Sequence, residues 1–369
     1  MKKITKYIAL STALALFTSC NDFLDVQPKG QLTDDEMFTD LTGYEDAMFG
    51  IYGKLATSNL YGENLSWGLV DKLGQQFGYD NTLDVSYHIN RYQYTNQEVR
   101  NVIDAVWTNM YNNIANVNNV LKHIDDISIG AQERQMIKGE ALGLRAFMHF
   151  DLARLYCTDY RRSDASTLGL PYAKEFNLSN RPRYTLQSTF KLILKDLDEA
   201  DSLLVNDNNV TYDNTLQRDY TKGRTILFNK YAVKATKARV YYAMGKYTEA
   251  AKYAREVINA TQNFTLNTST SLDSVMRFPA SKEMIFGVYA ADRSATIRTA
   301  FLRSTGLGSF VEGRRDTRSL YETDLFTALS SDLRFTSFFR ENTSGATSSF
   351  SFIRLIQNDA EATRGVLKG

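Results

Sequence analysis

Apolar residues recur at helical spacing through most of the chain before residue 260. Val102, Val106, Met110 and Ile114 stand four apart, and Trp107, Val117 and Leu121 widen the same stripe. This spacing predicts a long amphipathic helix with one face to bury. A break at 128–130 separates it from a second run, 132 to about 156, which carries Ile137, Ala141, Leu144, Met148, Leu152 and Leu155 at the same period. Two long helices with a short connection pack antiparallel. A third run, 185–204, has Phe190, Ile193, Leu194, Leu197, Ala200 and Leu204 in register. No proline falls between Pro28 and Pro171, so nothing there breaks a helix.

Residues 238–257 read ARVYYAMGKYTEAAKYAREV. Ala238, Tyr241, Tyr242, Gly245, Tyr247, Ala250 and Ala254 resemble the small/aromatic spacing of one tetratricopeptide repeat. Small residues let two helices approach, Gly245 permits the turn, and the tyrosines are expected to fill the wedge. One such unit cannot bury its own face, so neighbours must stack on it. From about residue 264 the texture changes: 265–274 is rich in Ser and Thr, 283–290 (EMIFGVYA) reads as a strand, and 342–351 as a polar, nearly structureless tract. The expected fold is therefore mainly α, a tetratricopeptide-like helical-repeat scaffold carrying an irregular layer of loops and short strands. Loops on a rigid scaffold are where binding often resides.

Composition narrows the function. The 369 residues hold 43 Lys+Arg and 42 Asp+Glu, and the first nineteen contain Lys2, Lys3 and Lys6 but no acid. Without them the net charge is −2 (40 basic, 42 acidic), which leaves no basic excess for nucleic acid. Residues 1–20, MKKITKYIALSTALALFTSC, start basic and continue through a short apolar run to Thr18, Ser19 and Cys20. The run is too short to span a bilayer and suits a secretory signal over 1–19. Small residues before a Cys resemble a bacterial lipobox, with Phe17 where Leu is usual; acylation of Cys20 would hold the chain on a membrane. Cys157 is then alone, and the mature monomer has no internal disulfide. His149 lies roughly 12 Å along a helix axis from Cys157, so that thiol reads as filler, not nucleophile.

No HExxH, CxxC, GxSxG or GxxxxGK[ST] pattern is present, and His88, His123 and His149 are scattered. No cofactor, metal or catalytic residue is assigned. The TGLGS turn at 305–309 is a weak phosphate cradle with no helix pattern after it. Asp34, Asp35 and Glu36 read as a capping turn after Thr33, and Asp196, Asp198, Glu199 and Asp201 as the solvated face of the third helix. Aromatics point to binding instead. Between residues 57 and 82, Tyr61, Trp67, Phe77 and Tyr79 mix with Asn64, Gln75, Gln76 and Asp80 among glycines. A flat ring beside amides and carboxylates can cover the C–H face of a sugar while the polar groups bond its hydroxyls. Trp67, assisted by Tyr61, Asn64 and Tyr79, is the candidate platform; the competing reading has Trp67 anchoring the loop to the core.

Taken together, several segments resemble the SusD/RagB family of surface nutrient-binding lipoproteins. They are the start at 20–25 (CNDFLD) with Pro28 and the 38–52 stretch; Trp107, Tyr111, Ile114 and Asn118 as W-x3-Y-x2-I-x3-N; 139–156 (GEALGLRAFMHFDLARLY); 169–172 (GLPY); Asp196-Leu197 with Ala200; and 235–247. They span roughly residues 20–290. Cys157-Thr158 departs from the Gly common after Tyr156. The resemblance implies one SusD-like domain over 20–369, with a helical body at about 36–260 and an irregular layer at about 261–352. It also implies an outer-membrane, lipid-anchored, surface-exposed protein that partners a TonB-dependent transporter and delivers an oligosaccharide or other nutrient to it, without catalysis. Glu140 and Arg145 match scaffold positions of the family motif. Two alternatives stay open: a tetratricopeptide-type protein-interaction lipoprotein with no small-molecule ligand, and a glycan-processing enzyme. Family members run on beyond this length with a further helix pair. Here Asp332-Leu333-Arg334 and Ile353-Arg354-Leu355 resemble family segments, after which the apolar pattern stops. The expectation is a shortened member, its apolar faces around 228–258 partly exposed.

Overall fold

The computed structural model describes residues 33–75, 78–79, 81–125, 129–211, 220–266, 282–290 and 293–301, with the backbone of 339–344 and 347–352. The signal-like segment, Cys20, Phe77, Asp80, the 305–309 turn and 353–369 lie outside the described residues.

Local chemistry starts most helices. Thr33 caps α1 (Asp34–Met37) in a capping box: its side chain accepts from the Glu36 N–H, and Glu36 Oε2 accepts from the Thr33 N–H at 2.9 Å. That bears out the capping turn read at 33–36. Asp40 caps α2 (Leu41–Leu55), and short helices α3 (Leu69–Leu73) and α4 (Val85–Asn90) follow. Asn96 caps α5 (Gln97–His123), which the connection around Gly130 joins to α6 (Ala131–Tyr156). Thr185 caps α7 (Leu186–Leu203), and Asn229 caps α8 (Lys230–Ala243). Gly245, at φ +75°, makes the turn into α9 (Tyr247–Ile258). A last helix, α10, spans Ser294–Phe301.

Consecutive long helices pack on one another, α5 on α6, α6 on α7, α7 on α8 and α8 on α9, while α2 lies against α5. The periodic stripes become the core: Val106, Met110, Ile114 and Val117 on α5 meet Ile137, Ala141, Leu144 and Met148 on α6, all fully buried. Gly139 and Gly143 explain two small positions in the 139–156 motif. A Cβ on Gly143 would stand 2.5 Å from the Phe228 ring, and one on Gly139 would stand 2.8 Å from Leu204.

Two buried ionic clusters tie segments distant in sequence. Arg145 grips Asp196 with Nε and Nη2 at 2.7 and 2.8 Å, and its Nη1 donates to Asn118 Oδ1 at 3.0 Å. The Tyr172 hydroxyl donates to the same Asp196 at 2.6 Å, and its ring stacks on His149 at 3.8 Å. His149 donates from Nδ1 to the Arg145 carbonyl and accepts the Ala173 N–H on Nε2; burial pushes its pKa down to about 3, so it is neutral. Hence 169–173 is fastened to α6. In the second cluster Arg224 meets Glu140 at 2.8 Å as an ion contact and Asp207 at 3.2 Å, with all three side chains buried. The Tyr52 hydroxyl donates to Glu140 and accepts the Phe228 N–H at 2.6 Å. Glu140 and Arg145 are thus scaffold groups, each paired with a different partner.

Four sequence expectations are corrected. Residues 283–290 form no strand; they run as an irregular segment pinned by the Gly287 N–H to the Thr225 carbonyl and by Asn229 Nδ2 to the Ile285 carbonyl. The tract read as structureless is a hairpin, β1 (Phe339–Ser344) antiparallel to β2 (Thr347–Phe352), with Phe339 opposite Phe352. The acidic face of α7 is not simply solvated: Asp196 is buried on Arg145, Asp198 meets Lys237 at 2.8 Å, and Asp201 meets Lys234 at 3.0 Å. Finally, only part of the tyrosine wedge forms. Tyr241 stacks parallel on Tyr253, whereas Tyr242 and Tyr247 point outward, 64% and 55% exposed.

Candidate functional site

Residues 56–96, between α2 and α5, form an irregular layer of loops around α3 and α4, which pack on each other. Cross-loop hydrogen bonds hold it. Gln75 Nε2 donates to the Asn90 carbonyl at 2.8 Å, Asn90 Nδ2 to the Lys72 carbonyl at 3.1 Å, and Arg91 Nη1 to the Tyr79 carbonyl at 3.0 Å. The Arg91 guanidinium also lies over the Tyr87 ring, 3.6 Å from its centroid. Arg293, just before α10, reaches Ser58 Oγ at 2.7 Å and the Ala56 carbonyl at 3.1 Å, which anchors the first loop.

Two residues of this layer hold left-handed backbone without being glycine: Gln75 at φ 54° and Tyr92 at φ 57°. For a bulky side chain that conformation is uncommon and must be imposed by the surroundings. At Tyr92 it closes α4: the Tyr92 N–H donates to the Ile89 carbonyl and the Gln93 N–H to the His88 carbonyl, while the Tyr92 hydroxyl donates to the Leu73 carbonyl at the end of α3 at 2.9 Å. The ring is consequently fixed, and it lies 6.3 Å from that of Tyr94 at an interplanar angle of 35°. Both rings stay open to solvent, 46% and 51% exposed. A pair of restrained, half-exposed tyrosines on a loop layer is suited to covering flat apolar ligand faces while hydroxyls and amides nearby take hydrogen bonds.

The residues singled out from sequence divide. Asn64 and Trp67 share the first loop, where the Trp67 N–H donates to the Glu63 carbonyl and the Asn64 carbonyl accepts from Val70. Trp67 is half-buried, its ring 5.6 Å from that of Phe301 on α10. Tyr79 is half-buried, with burial and Asp71 raising its hydroxyl pKa. Tyr61 belongs to the helical body instead: its hydroxyl donates to Asp151 on α6 at 2.7 Å and its ring packs on Phe147 at 5.4 Å. The sequence reading passed over Tyr92 and Tyr94. Two tyrosines two apart before a helix carry no motif; the signal is their paired, half-exposed rings, which only the fold reveals.

Ionisation here is driven by desolvation. Asp71 on α3 is pushed up to about 6 by burial, and the neighbouring Lys72 is pushed down, mainly by burial. No group of His, Cys, Asp and Glu among the described residues is gathered to hold a metal ion. Nor is any helix among them long and apolar enough to cross a membrane.

A SusD-like family profile, described as starch-binding and associating with the outer membrane, matches residues 22–242. A SusD-like protein of Formosa agariphila is 26% identical over 282 residues, 73% of this chain and 48% of its own length. Among solved structures, a SusD-like carbohydrate-binding protein of Bacteroides vulgatus aligns at TM-score 0.62 and 20% identity, over 84% of this chain and 62% of that one. A second SusD-superfamily protein of Bacteroides vulgatus aligns at TM-score 0.61 and 17% identity, covering 85% and 68%. The chain spans about half the length of the curated relative it matches. At these identities the structural likeness concerns the fold, which agrees with the mainly helical repeat body described above.

Proposed function

The chain belongs to the SusD-like family of starch-binding, outer-membrane-associated proteins, and from that premise we propose that it binds an oligosaccharide on the 56–96 loop layer and hands it on uncleaved. The observation that carries this reading is the Tyr92–Tyr94 pair, half-exposed, with the Tyr92 ring tied to the end of α3 through its hydroxyl. Sugar rings stack on these tyrosines. Asn64, Trp67 and Tyr79 line the same layer, and Tyr61 supports it from the helical body.

The chemistry of the layer is that of a holder. Among the described residues of the layer, the carboxylate with a strongly displaced pKa is Asp71, and burial is the cause of that shift, not a second acid sharing its proton. The lipobox-like 17–20 sequence supports anchoring through Cys20 at the cell surface, and the family supports a TonB-dependent transporter as the partner that receives the ligand.

A glycan array on the lipid-free chain, followed by product analysis of each hit, tests the binding reading. Saccharide retention without new reducing ends is the expected result. Release of products would make the protein an enzyme, and retention of no saccharide alongside a co-purified protein partner would favour the interaction-lipoprotein alternative. Cys20→Ala is expected to move the protein from the membrane to the soluble fraction; unchanged membrane retention removes the anchor.

A further inference from the structure

A second concave surface lies where the C-terminal end of α6, the single turn Tyr160–Arg162, α8 and α9 meet. It encloses about 820 Å³, within the size range of small-ligand sites. Phe150, Phe190 and alanines such as Ala153, Ala238 and Ala250 form the apolar part of its lining. Tyr242 and Tyr247, the outward pair of the α8–α9 turn, stand in its wall with ring centroids 5.5 Å apart at 62°.

The polar lining is arranged around one buried carboxylate. Arg154 reaches Asp151 Oδ1 through Nε at 3.0 Å and Nη2 at 2.7 Å, and Arg239 reaches the same oxygen through Nη2 at 3.1 Å. Asp151 Oδ2 is taken by the Tyr61 hydroxyl. Two guanidinium groups therefore share one negative charge, and each is more than two-fifths exposed. Both also lie near the Phe150 ring, 5.5 and 5.3 Å from its centroid. The third cation, Arg161, is balanced by Asp159 and hydrogen-bonds Tyr247. Among the described residues, then, three guanidinium groups share two carboxylates at the groove, and the Arg154 and Arg239 forks are partly exposed beside exposed aromatic faces.

We propose that this groove binds an acidic saccharide, with a uronate carboxylate on the Arg154–Arg239 pair and the sugar ring against Tyr242 or Tyr247. The proposal rests on the reading of the chain as saccharide-binding. A planar carboxylate matches the guanidinium fork with two parallel hydrogen bonds, which a neutral hydroxymethyl group cannot do. The ring then covers apolar surface that the alanines leave open.

Calorimetry on the full chain tests it with trigalacturonate, its methyl ester and a sulfated neutral trisaccharide. Trigalacturonate is expected to bind at least tenfold more tightly than the ester, and more tightly than the sulfate. Tyr242→Ala, an exposed change, is expected to weaken it about tenfold with the melting temperature unchanged. Arg239→Gln is expected to remove most of the salt dependence; should that variant unfold, Tyr242→Ala decides alone. The Tyr92→Ala/Tyr94→Ala protein is expected to keep its affinity for trigalacturonate. Equal binding of acid and ester, stronger binding of the sulfate, or loss of acid binding in Tyr92→Ala/Tyr94→Ala but not in Tyr242→Ala overturns the proposal. So does a Tyr242→Ala effect confined to an acidic amphipathic helix peptide, which would assign the groove to a protein partner. Retained binding of a neutral glycan with none of the acid sinks this inference alone; loss of both sinks the saccharide reading itself.

Discussion

Replacing Arg224 by Met should unlock the joint between the loop before α8 and the α6 scaffold. The guanidinium is wholly buried, 2.8 Å from Glu140 and 3.2 Å from Asp207, so its removal leaves two buried carboxylates without a cation. Deleting one partner of a buried pair costs about 3–5 kcal/mol, against a total domain stability on the order of 5–15 kcal/mol. With a urea m-value of roughly 2–3 kcal/mol/M, the midpoint should fall by roughly 1–2 M. The pH dependence identifies the cause. Burial already raises the Glu140 pKa while Arg224 holds it down, so losing Arg224 raises it further. A carboxyl raised in the folded state contributes stability that is present below its unfolded value of 4.5 and is lost as pH rises through the folded value. The deficit of Arg224→Met should therefore be small near pH 4 and full at pH 8, and adding Glu140→Gln should recover part of it at pH 8. Urea melts followed by far-UV circular dichroism across that range give the comparison. A loss below about 1 kcal/mol that does not change with pH would refute the claim that an uncompensated buried charge is responsible.

Other perturbations probe separate parts of the account. Asp71→Asn should raise the melting temperature at pH 7.5, because a carboxyl held at about 6 stabilises only below 3.8 and loses that contribution as pH climbs through 6. The gain should be about 1 kcal/mol after solvent screening and should vanish near pH 4 in parallel thermal melts. Gly143→Ala should cost about 1–3 kcal/mol, since the new methyl would stand 2.5 Å from the Phe228 ring; an unchanged melting temperature would show that α6 and Phe228 separate freely.

Most of the helical body was legible because burial follows a simple period. The α5 stripe Val106, Met110, Ile114 and Val117 is buried residue for residue, and Thr185 and Gly245 mark a start and a turn as their chemistry requires. Failures came where the partner lies far away in sequence. Asp196 sits among acids on α7 and looks solvated until Arg145, 51 residues earlier, folds onto it. The 283–290 run is apolar enough for a strand, but among the described residues it has no ladder partner: its Gly287 N–H donates to the Thr225 carbonyl and its Ile285 carbonyl accepts from Asn229 Nδ2. The 342–351 tract looked featureless, yet its cross-strand pairing is regular from Phe339 to Phe352. The candidate site was half legible. Aromatic and amide content drew attention to Trp67, Asn64 and Tyr79, but Tyr61 proved to be committed to Asp151. The pairing of Tyr92 with Tyr94 follows from the turn that closes α4 and from the Tyr92 hydroxyl reaching the Leu73 carbonyl, contacts that no short motif encodes.

The central claim is that fixed tyrosines on the loop layer hold a sugar. Titrating the strongest glycan-array ligand into the wild-type chain and into Tyr92→Ala/Tyr94→Ala, with circular dichroism to confirm that the helices are intact, tests it most directly. The double variant should keep native helix content and lose at least tenfold in affinity, about 1.4 kcal/mol or more for the two lost stacking faces. Unchanged affinity in a folded double variant would contradict it and move the ligand away from the 56–96 layer.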